Sequence, residues 1–240
     1  MANPLRDSFD FVIESADHWV QALRNPRAAV KSALRLPSRR EKIRAATNLW
    51  FAAFFLSMIV SLPLYYGFGL KLENVSFQIA YVVGQYLIIA AVSALLHVGF
   101  RVYKIASRLT DTFVIMTVLW SIVMPFMTFF SLHNERRILA NLSGSKQRGL
   151  SLSNVAATMF EPIQTPMGPI ETIFSIVAAP LSAILGIVAV AMIVRAVAEH
   201  YHAPIQQTIR AFTFGVLVVA PVPVVLLVLL NIVLYYSFIA

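Results

Sequence analysis

Arg195, Glu199, His200 and His202 form a tight cluster of ionisable residues beside a long apolar run. A carboxylate with two histidines is the donor set of a zinc site or an acid–base pair. The spacing argues against both. Helical histidine ligands stand at i+3 or i+4, as in H-E-x-x-H, whereas residues 200 and 202 point in different directions. Arg195 and Glu199, one turn apart, suit a surface ion pair instead. His97 and His133 have no carboxylate near them in sequence and read as interfacial groups that snorkel to water. Cysteine is absent, which excludes disulfides, thiolate metal sites and cysteine nucleophiles. The chain contains no G-x-S-x-G elbow, Walker loop, dinucleotide fingerprint or kinase signature. The residues thus predict a protein that is not an enzyme and has no cofactor and no metal.

The apolar runs that flank this cluster carry almost nothing titratable in their central portions. Gln85 and Asn231 are the main deep polar residues, and both read as interhelical glue, contributing on the order of 0.6 kcal/mol each. A proton relay or a path for a charged substrate needs Asp, Glu, Lys or Arg at that depth. Their absence counts against an ion-coupled pump.

The elements that must position these groups are membrane spans. With 59% hydrophobic and 12% charged residues, the chain has too little polar surface to coat a soluble globule. Five runs reach the roughly 20 helical residues that cross a hydrocarbon core: Asn48–Leu70, Phe77–Phe100, Phe113–Leu132, Ile173–Val194 and Ala211–Phe238. They are continuous rather than alternating, which excludes barrel strands. The fold class is all-α: a polytopic membrane protein with a five-helix bundle behind a helical head. Residues 1–46 are the head and 47–240 the membrane domain. No cleavable leader is visible, so the first span is expected to stay as an anchor.

The net charge of +8 lies at the membrane edges, without the aromatic-interleaved basic patch of a nucleic-acid binder. Placing the head inside puts fourteen Lys and Arg inside against five outside. The excess of positive charge predicts a cytoplasmic amino terminus and a periplasmic or lumenal carboxyl terminus.

In the head, Phe9, Val12, Ile13, Ala16, Trp19, Val20 and Leu23 recur every three or four residues, with Asp10, Glu14, Asp17 and Gln21 opposite. This is the pattern of an amphipathic helix. Phe9, Val12, Ile13, Trp19 and Leu23 are the expected partner-facing residues. Asn25-Pro26 caps a second short helix with Arg27, Lys31 and Arg35 along one side. Ser38-Arg39-Arg40-Glu41 fits a capping box, so the first long helix should start near Arg39. Arg39, Arg40, Lys42 and Arg44 then lie at headgroup level. There, anionic lipids of the inner leaflet attract each charge by roughly 1 kcal/mol. Orienting the first span is the plainer role of these residues.

Prolines interrupt the runs at Pro63, Pro125, Pro180, Pro221 and Pro223. Each frees the carbonyl four residues back, which neighbours must then satisfy. Ala178, Ser182 and Gly186 lie four apart and should let another backbone approach, in the same chain or in a homo-oligomer. His133–Thr172 is expected to be a long external loop whose part 150–172 is interfacial or re-entrant. The second–third and fourth–fifth hairpins share a faint likeness, each with a basic connection.

Three segments carry a resemblance to a known family. They are Leu23-Arg24-Asn25-Pro26-Arg27-Ala28-Ala29 in the head; Leu95-Leu96-His97-Val98-Gly99-Phe100-Arg101 with Thr110-Asp111-Thr112-Phe113; and Ile193-Val194-Arg195-Ala196-Val197 with Thr208-Ile209-Arg210-Ala211-Phe212. Together, over about residues 23–238, they resemble the Yip (Ypt-interacting protein) family of five-span membrane proteins. The resemblance implies a cytoplasmic amino terminus and an external carboxyl terminus. In eukaryotes it implies Rab-linked vesicle traffic, and bacterial relatives lack a Rab partner. No active-site residue carries over. The expected function is a non-enzymatic membrane adaptor or scaffold that recruits or stabilises a protein partner at the membrane. The alternative is an accessory subunit of a transporter, channel or other multi-subunit membrane complex, with the kinked helices, Gln85 and Asn231 as lining. A lipid-modifying enzyme would have to draw its catalytic group from Glu199, His200 or His202.

Overall fold

Signals only three or four residues long set the helix starts. At Asn25 the side-chain Oδ1 accepts from the Ala28 amide at 3.0 Å, and Pro26, which has no N–H to lose, takes the first helical position. At Ser38 the hydroxyl accepts from the Glu41 amide at 3.1 Å while the Glu41 carboxylate accepts from the Ser38 amide at 3.3 Å. The reciprocal pair starts the first long helix at Arg39, as the sequence predicts.

The computed structural model describes residues 4–67, 75–145 and 169–219. Among them the chain is all-helical, with no strand: α1 (Pro4–Arg24), α2 (Pro26–Arg35), α3 (Arg39–Gly67), α4 (Val75–Val102), α5 (Leu109–Ser145), α6 (Pro169–His200) and α7 (Ile205–Val219). Four of these helices are long and apolar enough to cross a membrane, over Arg39–Val60, Val83–Val102, Leu109–Met127 and Ile176–His200. The chain is therefore of multi-pass type. Of the expected fifth span, Ala211–Val219 falls in α7; the rest, with Pro221, Pro223 and Asn231, lies outside the described residues.

The expected external loop needs correction at both ends. Helix α5 runs on through His133 to Ser145, and α6 already begins at Pro169. Between Pro125 and Gly144 no residue breaks a helix, and Glu135, Arg136, Arg137 and Ala140 all favour one. A fall in hydropathy is not a helix stop. The stretch 150–168 lies outside the described residues.

Helix α5 is the hub, packing against α1, α2, α3, α4 and α6. Val114, Ile115, Val118, Leu119 and Ile122 on it are fully buried, as are Trp50 on α3, Leu96 and Phe100 on α4 and Ile193 on α6. Tyr86 joins Trp50 and Phe113 edge-on, with centroids at 5.0 and 5.7 Å, and so ties α4 to both neighbours.

The two hairpins α4–α5 and α6–α7 turn in the same way. Lys104 (φ 57°) and His202 (φ 51°) both adopt the left-handed conformation just past a helix end. The next amide then reaches back to the helix, Ile105 to the Phe100 carbonyl at 2.8 Å and Ala203 to the Ala198 carbonyl at 3.0 Å. In the following helix Thr112 and Thr208 each donate a hydroxyl to the carbonyl four residues back, Arg108 and Pro204, at 3.1 and 3.2 Å. The hairpins also pair crosswise, α4 on α7 and α5 on α6. The likeness seen in sequence is thus a repeated turn architecture.

Close approach of α4 to α7 depends on Gly99, where a Cβ would stand 2.8 Å from the Ala211 carbonyl oxygen. A Cβ at Gly215 would crowd the Leu96 Cδ2, also at 2.8 Å, the movable tip of a side chain, with the Leu96 Cα at an ordinary 3.7 Å. Gly99→Ala is expected to destabilise by about 1–3 kcal/mol, because a helix backbone must shift. Gly215→Ala should be near neutral, the gain in helix propensity offsetting a rotamer change. Thermal unfolding of the two variants in the same detergent checks the contrast.

Candidate functional site at the basic end of the bundle

One end of the bundle gathers the start of α3, the end of α4, the start of α5, the end of α6 and the helix α2. At its centre is Asp111, whose side chain is only 8% exposed. One carboxylate oxygen accepts from Lys42 Nζ on α3 at 3.0 Å, and the other faces His200 Nε2 on α6 at 3.4 Å. Asp111 therefore joins three helices. Lys42 is itself only 17% exposed. Removing either member of such a pair leaves an uncompensated buried charge, at a cost of about 3–5 kcal/mol.

Tyr201 closes the same junction from the αL turn after α6. Its hydroxyl accepts from the Arg108 amide at 3.3 Å, donates to the Arg108 carbonyl at 3.1 Å and lies 3.2 Å from the Thr112 hydroxyl. Burial, with the nearby Asp111 charge adding to it, holds the phenol above its ordinary range, so it stays a donor. The Gln207 side-chain amide reciprocates, donating to the Tyr103 carbonyl at the end of α4.

Helix α2 lies across this end through its cationic face. Arg27 forks onto Glu199 through Nε, at 3.1 Å, and Nη2, and Arg195 reaches the same carboxylate at 3.1 Å. The hydrogen bonds and charge of Glu199 raise the Arg27 guanidinium above its ordinary value. Val30, Ala33 and Leu34 are buried beneath α2, while Lys31 and Arg35 stay exposed.

The third fastening is apolar and deeper. Trp19 is buried, and its indole N–H donates to the Ser121 carbonyl on α5 at 2.8 Å. That carbonyl is the one Pro125 leaves without its helical donor, since proline at i removes the bond to i−4. The Trp19 ring also packs on Phe126 at 5.8 Å. Ser121 stands ten residues beyond Asp111 on α5, about 15 Å along the axis. The first helix thus reaches well down the bundle side.

Beside a cavity of about 520 Å³ between α1, α2 and α3, two more lie at the junction. One, of about 340 Å³, lies between α2 and the end of α6, with Arg27, Lys31, Arg35, Glu199, His200 and His202 on its wall. The other, of about 470 Å³, is bounded by Arg39 and Lys42 on α3, His97 and Arg101 on α4, and the chain from Ser107 to Asp111. His97 Nδ1 and the buried Ser107 hydroxyl are 2.8 Å apart in its wall.

The residues singled out in sequence separate accordingly. Among the expected partner-facing residues, Trp19 requires correction: its indole serves the protein's own α5, because a carbonyl freed by proline needs a donor. Ile13 and Leu23 are outward, 64% and 38% exposed. Phe9 and Val12 belong to α1, but their side chains lie outside the described residues. Arg39 and Lys42 line the 470 Å³ cavity, whereas Arg40 and Arg44 are exposed and do not.

Ala178 is buried and Ser182 lies against Met127 of α5, its Oγ 3.8 Å from the thioether sulfur; a Cβ at Gly186 would meet nothing within 4 Å. The small-residue face thus serves the chain's own packing at two positions and is open at the third. Gln85 is half-buried on α4. Glu199, His200 and His202 diverge, towards Arg27, towards Asp111 and towards solvent.

Sequence reading missed Asp111, Arg27, Arg101, Arg108 and Tyr201 as members of one site. The one available signal was Asp111 itself, an acid at the start of a 19-residue apolar helix segment. No family model matches this chain, and neither the curated proteins nor the solved structures offer a similar one.

Trp19→Phe is expected to cost about 1–3 kcal/mol, the penalty for a buried carbonyl left without a donor. In a Pro125→Ala background residue 125 regains its N–H, so the same substitution should cost clearly less. A double-mutant cycle by thermal unfolding in detergent measures the coupling.

Proposed function

We propose that this chain is a non-enzymatic five-span membrane scaffold of Yip-like kind that holds a protein partner at the membrane. The observation that carries the reading is the fastening of α1 and α2 to the bundle by Trp19, by Arg27 and by the buried Val30, Ala33 and Leu34 of α2. A head attached at several points presents its outer face in a fixed register over the membrane body. That is what recruitment requires and what catalysis does not. The polar groups at the basic end hold one another, Asp111 accepting from Lys42 and facing His200 Nε2. They serve as joints.

In this reading residues 211–238 form the fifth span. The basic end faces the cytoplasm, by the excess of Lys and Arg, and the carboxyl terminus lies outside. Helix α1 is amphipathic: Trp19 and Ala22 are buried while Asp17, His18 and Gln21 are exposed. The partner surface is what this docking leaves outward, centred on Ile13 and Leu23. Arg39, Arg40, Lys42 and Arg44 meet the anionic inner leaflet.

Because the chain has no cysteine, single cysteines report topology without background. Ala240→Cys should react with an impermeant maleimide from outside, and Ala28→Cys only after permeabilisation. Labelling of both from the same side contradicts the five-span reading. A photoreactive residue at position 13 or 23 should trap one defined protein in native membranes. Ile13→Glu with Leu23→Glu should lower that yield about tenfold, as expected for removing apolar burial worth about 1–2 kcal/mol. The unfolding temperature should not change. Unchanged trapping contradicts the scaffold reading.

A further inference from the structure

The 470 Å³ cavity among α3, α4 and α5 has a charge pattern that the bundle itself does not use. Arg39, Lys42, Arg101 and Arg108 border it against one carboxylate, Asp111. Asp111 is already engaged by Lys42 and His200. Among the described residues no carboxylate stands within ion-pair distance of Arg39, Arg101 or Arg108. Three arginines so placed repel one another unless an anion joins them.

The helix that opens into the cavity is also uncapped. Residue 108, at the N-cap of α5, is an arginine and offers no side-chain acceptor, where Ser, Thr, Asp or Asn is usual. Its own amide is taken by Tyr201, and the Thr112 amide by the Arg108 carbonyl at 3.0 Å. The amides of Leu109, Thr110 and Asp111, all in the cavity wall, have no acceptor among the described residues. A 37-residue helix thus directs its positive end and its free donors into a space rimmed by guanidinium groups. The contact of His97 with Ser107 closes the far wall without adding a charge acceptor.

We propose that this cavity is a binding site for a phosphate group. Arg39, Arg101 and Arg108 are its charge partners, and the first-turn amides of α5 its hydrogen-bond donors. Arginine suits the role because its planar fork matches two phosphate oxygens at once. Two sources present that chemistry, the headgroup of an anionic phospholipid and a soluble phosphate. The proposal deepens the suggested leaflet contact by naming a pocket in place of a diffuse basic rim. It depends on that reading only for which side of the membrane is met, so binding in detergent and the labelling of residues 28 and 240 fail independently.

The test uses the full chain, delipidated in mild detergent. One arm titrates short-chain phosphatidylglycerol and a phosphatidylinositol phosphate against phosphatidylcholine. The other titrates inorganic phosphate and inositol hexakisphosphate against sulfate-free chloride at equal ionic strength. Saturable binding in the first arm alone assigns the site to lipid headgroups; saturable binding in the second assigns it to phosphate at large. Arg101→Gln with Arg108→Gln should weaken either by about a hundredfold, roughly tenfold for each charge-assisted hydrogen bond removed. Lys31→Gln with Arg35→Gln removes the same charge outside the cavity and should change affinity by less than about threefold, the scale of a screened surface charge. All four side chains are exposed, so both variants should fold, and an unchanged unfolding temperature without ligand verifies it. Equal losses in the two double variants, or no saturable binding in either arm, overturns the proposal.

Discussion

Pro125 strips the Ser121 carbonyl of its helical donor, and the indole of Trp19 supplies another from more than a hundred residues away. Inside an apolar bundle an unpaired carbonyl costs about 1–3 kcal/mol, which favours this exchange. It decides where α1 goes. Once Trp19 is seated, α2 must leave Asn25 at the basic end. Arg27 then reaches Glu199, and the capping box at Ser38 turns the chain into α3. A helix that reads in sequence as a separate head becomes a flank of the membrane body.

Asp111 exerts the complementary constraint at the start of the same helix. A carboxylate so deeply covered needs partners, and its two oxygens meet Lys42 and His200 from two different helices. The result fixes α3 and α6 against the start of α5. Apolar packing between helices in a bilayer is only weakly specific, because lipid tails are as apolar as leucine. Pairings of this kind choose one helix arrangement among many that bury similar area. Gly99, beneath the Ala211 carbonyl, does the same by shape for α4 and α7.

Lys42 neutralises Asp111, and Tyr201 takes up the Arg108 amide. Both leave the neighbouring arginines and the first turn of α5 without partners. The surplus of positive charge at the junction follows from this. Asp111 and Tyr201 are satisfied within the chain, and the arginines facing the cavity are not. Structural joints and the proposed phosphate site therefore share one end of the bundle, with Lys42, Arg108 and Asp111 at their border.

What was legible in the sequence acts over a few residues. Asn25-Pro26, the Ser38–Glu41 box and the long apolar runs set helix starts and span type, since caps and hydropathy involve neighbours along the chain. Polarity past His133 suggests a helix end, yet α5 continues, because polar residues that favour helix do not stop one. Local pattern carries no information about which turn of one helix meets which turn of another. The pairs Trp19–Ser121, Lys42–Asp111 and Arg27–Glu199 join residues 102, 69 and 172 positions apart. Burial and charge neutralisation alone bring them together, so only the tertiary structure decided the docked head, the basic junction and the cavity beside it.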